Sequence, residues 1–157
     1  ANVDDPAVLK SLLQLLVECS RALPLVFPVH PRTQKAVREQ GLATVLERSP
    51  ALKCIPPLPY QENLCLMSQA KVVLTDSGGM QEETTFLKVP CLTLRENTER
   101  PITVERGTSR LVGNEPERIQ QAFEQALGDL WPHGENIPLW DGRAGERIVR
   151  ILGERLG

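Results

Sequence analysis

Apolar positions recur with a period near that of an α-helix in the first stretch of the chain. Val8, Leu9, Leu12, Leu13, Leu15, Leu16 and Cys19 follow an Asp5-Pro6 start signal and predict a helix over about 6–22. The pattern then changes. Residues 24–30 are a short apolar run between prolines, the mark of a buried strand whose end carries polar residues outward. Residues 32–40 read as a helix stopped by Gly41, 52–55 as a second strand, and 60–69 as a helix that turns Leu64, Leu66 and Met67 inward. Residues 71–75 form a further buried strand, Asp76-Ser77-Gly78-Gly79 a tight turn, and 80–88 a helix that ends before Pro90. Strands follow at 91–94 and 109–112. A helix over 116–127 turns Ile119, Ala122, Phe123 and Ala126 to one face, and a last helix covers 144–156.

Strands and helices alternating at this rhythm imply parallel strands joined by right-handed crossovers, a doubly wound α/β sandwich. Residues 1–157 are expected to make one such domain around a single core, a size that needs no disulfide or metal for stability. The chain opens on a helix where such a sheet normally opens on a strand, so the first strand is expected to be missing.

Composition removes several classes of function. With 41% hydrophobic and 24% charged residues and a formal net charge of -2, neither a disordered tail nor an electrostatic nucleic-acid surface is indicated. No apolar run approaches a bilayer span, and Ala1-Asn2-Val3-Asp4-Asp5 lacks the features of a signal peptide, so a cytoplasmic protein is expected. Cys19, Cys54, Cys65 and Cys91 are widely spaced, without a paired CxxC motif or nearby histidines, and are read as thiols rather than disulfides or metal ligands. Cys19, Cys65 and Cys91 fall among apolar neighbours and are expected to behave as small hydrophobes.

In an open parallel sheet the ligand crevice lies beyond the carboxyl ends of the strands, and four polar groups concentrate there. In Thr75-Asp76-Ser77-Gly78-Gly79 two glycines let the backbone approach a ligand, and the next helix presents free N–H groups that suit a pyrophosphate. A plain helix N-cap with a glycine turn explains the same spacing. Glu82 and Glu83 point about 100° apart, so at most one faces the crevice; it could accept both hydroxyls of a ribose, or the pair could simply complement the helix dipole. The loop from Arg95 to Pro101 could bring Arg95 or Arg100 to a phosphate, or be a solvated loop. His30, at a strand end among prolines, is a possible acid, base or phosphate contact and equally a structural residue. His133 is read as surface, and the Gly-x-Gly-x-x-Gly fingerprint of a dinucleotide dehydrogenase is absent.

Taken together, Thr75 to Glu83, Arg95 with Thr98-Glu99-Arg100-Pro101, and Gly107-Thr108-Ser109-Arg110-Leu111-Val112-Gly113 resemble the non-hydrolysing UDP-N-acetylglucosamine 2-epimerases in order and spacing. Pro28-Val29-His30-Pro31 and Asn2-Val3-Asp4-Asp5 extend the likeness over essentially the whole chain. The resemblance implies the C-terminal, Rossmann-like, UDP-binding half of a GT-B-like two-domain fold. It implies diphosphate contacts at Ser77, Gly78 and Gly79, ribose hydroxyls at Glu83, a further substrate contact at Arg100, and a uracil site near Tyr60. Two positions depart from the family: Asn63 stands where an aromatic is usual, which points to a hydrogen bond instead of stacking, and Ile102 stands where many members carry Glu.

The family reaction interconverts UDP-N-acetylglucosamine and UDP-N-acetylmannosamine by elimination and re-addition of UDP, with no cofactor and no metal. An N-terminal domain, missing here, is the implied partner within a commonly dimeric enzyme. It would carry the carboxylates that handle the sugar C2 proton, and a His-Arg pair is expected just upstream of Asn2, so the chain alone is expected to be inactive. The alternatives are a UDP-binding module without activity, a hydrolysing epimerase, and an epimerase of a diacetamido uronic acid nucleotide.

Overall fold

A computed structural model describes residues 2–128 and 130–156. Ala1, Asp129 and Gly157, included in the expected 1–157 domain, lie outside the described residues. The first helix, α1 (Pro6–Ala22), starts where the sequence signal puts it. The Asp5 carboxylate accepts hydrogen bonds from Ala7 N at 2.8 Å and Val8 N at 3.2 Å, and Pro6 sits at the first helical turn, where its missing N–H costs nothing. Then come β1 (Leu25–Pro28), α2 (Pro31–Glu39), a short α3 (Ala43–Leu46), β2 (Leu52–Ile55) and α4 (Tyr60–Ser68). The second half runs β3 (Val73–Thr75), α5 (Gly78–Leu87), β4 (Cys91–Thr93), α6 (Pro101–Glu105), β5 (Ser109–Leu111), α7 (Pro116–Leu127) and α8 (Ala144–Leu156).

All strand pairs are parallel, as the alternation requires. The strands form two ladders: β1 beside β2, with Leu25 opposite Leu52, and β3-β4-β5 in that order, with Val73 opposite Cys91 and Cys91 opposite Ser109. Helices cover both faces of the second ladder. Along β3, Val73 packs with Met67, Val89 and Met80 on the α4–α5 side, while its neighbour Leu74 packs against a core built from α1 and α7. That opposition is the two-residue period of a strand made visible. The α1–α7 core holds Leu12, Leu15, Cys19, Leu92, Ile119 and Phe123, and a second core under β1 and β2 holds Leu9, Leu13, Val37 and Leu52. Helix α1 contributes to both, and Leu25 packs against both, so the expected single core is in fact three clusters with two of them joined through one helix.

Several local expectations are corrected. Helix α5 begins at Gly78, two residues earlier than read, because both glycines adopt helical rather than left-handed backbone. Its end is set by Lys88, which adopts a left-handed conformation (φ 60°) before Val89-Pro90. The run in β1 is not fully buried: Val26 is exposed on the outer face. Cys65 is exposed too, since it lies about 200° around α4 from the buried Met67. Cys19 and Cys91 are buried, Cys54 is exposed, and all four are free thiols. Helices α3 and α6 carry no legible periodicity because each is little more than one turn. Trp131, which no pattern singled out, is buried, donates from Nε1 to Thr108 O at 2.7 Å and lies under the Arg110 guanidinium. His133 is exposed, as read. Helix α8 buries none of its residues and shows Ile148, Val149, Ile151, Leu152 and Leu156 on its surface. Among the described residues no helix is long and apolar enough to cross a membrane.

Candidate functional site

Parallel strands end on a common edge, and the candidate residues lie in the loops and helices that follow the strands there. At the end of β3, the buried Thr75 hydroxyl accepts from Ser77 N at 3.1 Å and so folds the chain out of the strand into α5. Ser77 is the extended residue before the helix, and its own hydroxyl makes no cap bond. Gly78 and Gly79 are the first two helical residues. A Cβ built on Gly78 would meet nothing within 4 Å, and one on Gly79 only Ser77 Oγ at 3.9 Å. Neither glycine has a positive φ. Neither conformation nor internal packing therefore requires glycine at these two positions; their bareness leaves the helix N-terminus open, its first amides uncapped by any described side chain. This is a donor-rich, positively polarised surface suited to an anion.

Further along α5 the two carboxylates divide. Glu82 pairs with Arg100, whose Nε lies 3.2 Å from Glu82 Oε1, an ion pair without hydrogen-bond alignment because that Nε has no hydrogen-bond partner. Both side chains are about two-fifths exposed, at 42% for Arg100 and 43% for Glu82, so the pair is partly screened by solvent. Glu83 is half-buried, and its pKa is pushed above the ordinary carboxylate range by desolvation first and by the neighbouring Glu82 charge second. It is not among the residues α5 buries, which are Gln81, Thr84 and Thr85.

Arg100 stands directly before α6, half-buried, with its backbone N–H held by Thr98 Oγ1 at 2.9 Å. Arg95 turns elsewhere, toward Glu99 at 3.8 Å, and Glu96 pairs with Arg118 at 3.6 Å. Of the two arginines singled out in this loop, it is Arg100 that the structure brings to α5. Tyr60, at the start of α4, is 65% exposed; Asn63, one turn on, is half-buried, and α4 packs against α5.

His30 follows β1 and caps α2: its Nδ1 accepts from Arg32 N at 3.2 Å, so in the neutral ring Nε2 carries the proton. The start of the chain crosses these strand edges, with Asn2 Nδ2 donating to Leu94 O at 2.9 Å just after β4 and Asp4 paired with Arg32. Grooves of about 540 and 280 Å³ lie elsewhere, one between α2, α3 and β2, the other beside Phe86 and Trp140; neither includes a residue singled out for the site. The α5 N-terminus and the Arg100 loop together form a shelf at this strand edge. Among the described residues no group of three His, Cys, Asp or Glu side chains gathers to hold a metal.

The residue sequence reading missed is Gln81. It is fully buried; its Oε1 accepts from Thr98 Oγ1 at 2.8 Å and lies 3.3 Å from Thr103 Oγ1. A signal existed in the chain, since the inward positions i, i+3 and i+4 of α5 are Gln81, Thr84 and Thr85, polar where a helix packed on a sheet is normally apolar.

The family model described as UDP-N-acetylglucosamine 2-epimerase matches residues 1–153. A UDP-N-acetylglucosamine 2-epimerase of Methanocaldococcus jannaschii is 43% identical over 155 residues, which are 96% of this chain and 41% of that protein. A UDP-2,3-diacetamido-2,3-dideoxy-D-glucuronate 2-epimerase of Pseudomonas aeruginosa is 36% identical over 152 residues, again 96% of this chain and 41% of the relative. The crystal structure of the Methanocaldococcus jannaschii enzyme in complex with UDP-GlcNAc and UDP superposes with a TM-score of 0.84, covering 98% of this chain and 42% of that one. The chain thus spans about two-fifths of the length of these relatives.

Proposed function

Because the chain belongs to the UDP-N-acetylglucosamine 2-epimerase family, we propose that it is the UDP-holding segment of an enzyme that interconverts UDP-N-acetylglucosamine and UDP-N-acetylmannosamine without releasing the free sugar. In that reaction the C1–O bond to UDP breaks with its electron pair leaving on the β-phosphate. The C2 proton is removed and its bonding pair forms the C1=C2 double bond of a glycal. Re-addition of UDP at C1, with protonation of C2 from the other face, gives the epimer. We assign the C2 proton to no residue of this chain, which by itself is expected to bind UDP and turn over nothing.

The observation that carries this reading is the open N-terminus of α5, with uncapped amides beneath two glycines that nothing inside the chain requires. Negative charge grows on the pyrophosphate as the C1–O bond breaks. Fixed donors aimed at that site favour the developing charge over the ground state, where losing one typically costs about 100-fold in rate. Ser77, Gly78 and Gly79 hold the diphosphate, Arg100 adds a positive charge at the same edge, and Glu83 accepts the ribose hydroxyls. Tyr60 and Asn63, on the neighbouring α4, take the uracil, with Asn63 offering hydrogen bonds where stacking is absent. His30 already serves as a helix cap, which supports a structural role. Exposed free thiols at Cys54 and Cys65 suit a reducing, cytoplasmic setting.

Calorimetric titration of the chain with UDP, beside an NMR assay of UDP-N-acetylglucosamine for the manno epimer, tests the proposal. Saturable UDP binding with no turnover is the expected result. A folded chain that does not bind UDP overturns it, and conversion by the chain alone overturns the division of labour.

A further inference from the structure

Helix α5 presents two features to the shelf, the open N-terminus at Gly78-Gly79 and the partner of Arg100 at Glu82, and between them lies a side chain that touches neither solvent nor shelf. Gln81 is fully buried, and its Oε1 receives the Thr98 hydroxyl at 2.8 Å. The same Thr98 oxygen accepts from Arg100 N at 2.9 Å. The Thr103 hydroxyl, one turn into α6, lies 2.8 Å from Arg100 O and 3.3 Å from Gln81 Oε1. The Arg100 N–H is therefore held by the Thr98 oxygen, whose own proton goes to Gln81 Oε1, while the single Thr103 hydroxyl proton is shared between Arg100 O and, at longer range, the same Gln81 oxygen.

We infer that Gln81 is a positioning residue for the nucleotide: it anchors the Arg100 loop to the same helix that presents the diphosphate seat, and so fixes where the guanidinium can reach. This rests on the proposed UDP site. The physical reason is loop entropy. Residues 94–100 form no regular element, and the interaction that Arg100's side chain makes with α5, the ion pair to Glu82, is partly exposed and weakly directional. A loop ordered by that pair alone would carry its arginine through many positions. Buried hydrogen bonds to a side chain rooted in α5 remove that freedom before the ligand arrives, so the ligand loses less entropy on binding. Glutamine suits the task because its oxygen accepts the Thr98 proton at 2.8 Å, with the Thr103 hydroxyl close by at 3.3 Å.

The test is a double-mutant cycle on UDP affinity in the whole chain. Gln81→Leu removes the shared acceptor at similar volume, Thr98→Val removes the hydroxyl that links it to Arg100, and Arg100→Met removes the guanidinium. Gln81→Leu and Thr98→Val are each expected to weaken UDP about five- to tenfold. In the Arg100→Met background the same changes should cost less than about twofold, because the group they position is gone. A role in folding alone would lower affinity equally in both backgrounds, and additive losses overturn the inference. So does unchanged UDP affinity in Gln81→Leu or Thr98→Val with the circular dichroism of the parent. If Gln81→Leu does not fold, Thr98→Val, at a half-exposed position, carries the cycle. Failure of the parent chain to bind UDP is a different outcome, which overturns the UDP site and this inference with it.

Discussion

In the proposed UDP site, Glu83 accepts hydrogen bonds in a place that disfavours its charge. Its folded-state pKa lies above the ordinary range, from desolvation and then from Glu82. As pH rises, the unfolded chain ionises first, near roughly 4.3. Stability is thus fullest below that value and declines as pH rises through the higher folded pKa. Glu83→Gln should accordingly raise the thermal midpoint at neutral pH and leave it unchanged at about pH 3, measured by calorimetry. The same change should weaken UDP about tenfold or more while leaving inorganic pyrophosphate affinity nearly unchanged, since a charged acceptor for the diol is lost and the anion seat is not. Equal losses for both ligands would remove Glu83 from the ribose. Gly78 gives the complementary case: Gly78→Val should weaken UDP and pyrophosphate alike by crowding the amides, yet keep the urea midpoint, because nothing in the chain lies within 4 Å of the new Cβ. That carboxylates and glycines follow β3 was readable from order alone. Which of the two glutamates pairs with Arg100 was not, since adjacent helical residues differ only in the direction they face.

At the scale of elements, the junction of α5, α6 and β5 is held by close approach rather than by apolar bulk. A Cβ on Gly107 would overlap Thr103 O and the Thr85 side chain, and Thr108 N donates to Thr85 Oγ1 at 3.4 Å. Gly107→Ala is therefore expected to destabilise by about 1–3 kcal/mol in urea denaturation, the usual cost of overpacking, with a loss of UDP affinity that follows from disturbing α6 and its Arg100 cap. The long helices α1 and α7 were legible because an apolar stripe over several turns has one interpretation. Helices α3 and α6, of four and five residues, were not, because so short a segment repeats no face. The start of α5 was misplaced by two residues for a related reason: glycine's permissiveness reads as a turn, and only the neighbouring backbone decided that it be helical here.

Across the whole molecule, stability is concentrated where α1, α7 and the β3-β4-β5 ladder meet. Phe123 is fully buried there, and Phe123→Ala should cost about 3–5 kcal/mol by urea denaturation. Ending the chain after Arg143 should leave the urea midpoint unchanged, since α8 buries no residue; a marked drop would mean that its apolar surface is engaged. The sequence by itself determined the alternation of strands and helices, the parallel pairing and the placing of Ser77, Gly78 and Gly79 just beyond a strand with Glu83 in the helix that follows, because periodicity and chain direction are local properties. Only the tertiary structure decided that Arg100 rather than Arg95 meets α5, that Trp131 is buried beneath Arg110, and that a buried glutamine joins Thr98 and Thr103. Those outcomes depend on residues 17, 18, 21 and 22 positions apart in the chain, whose meeting is set by how the layers pack.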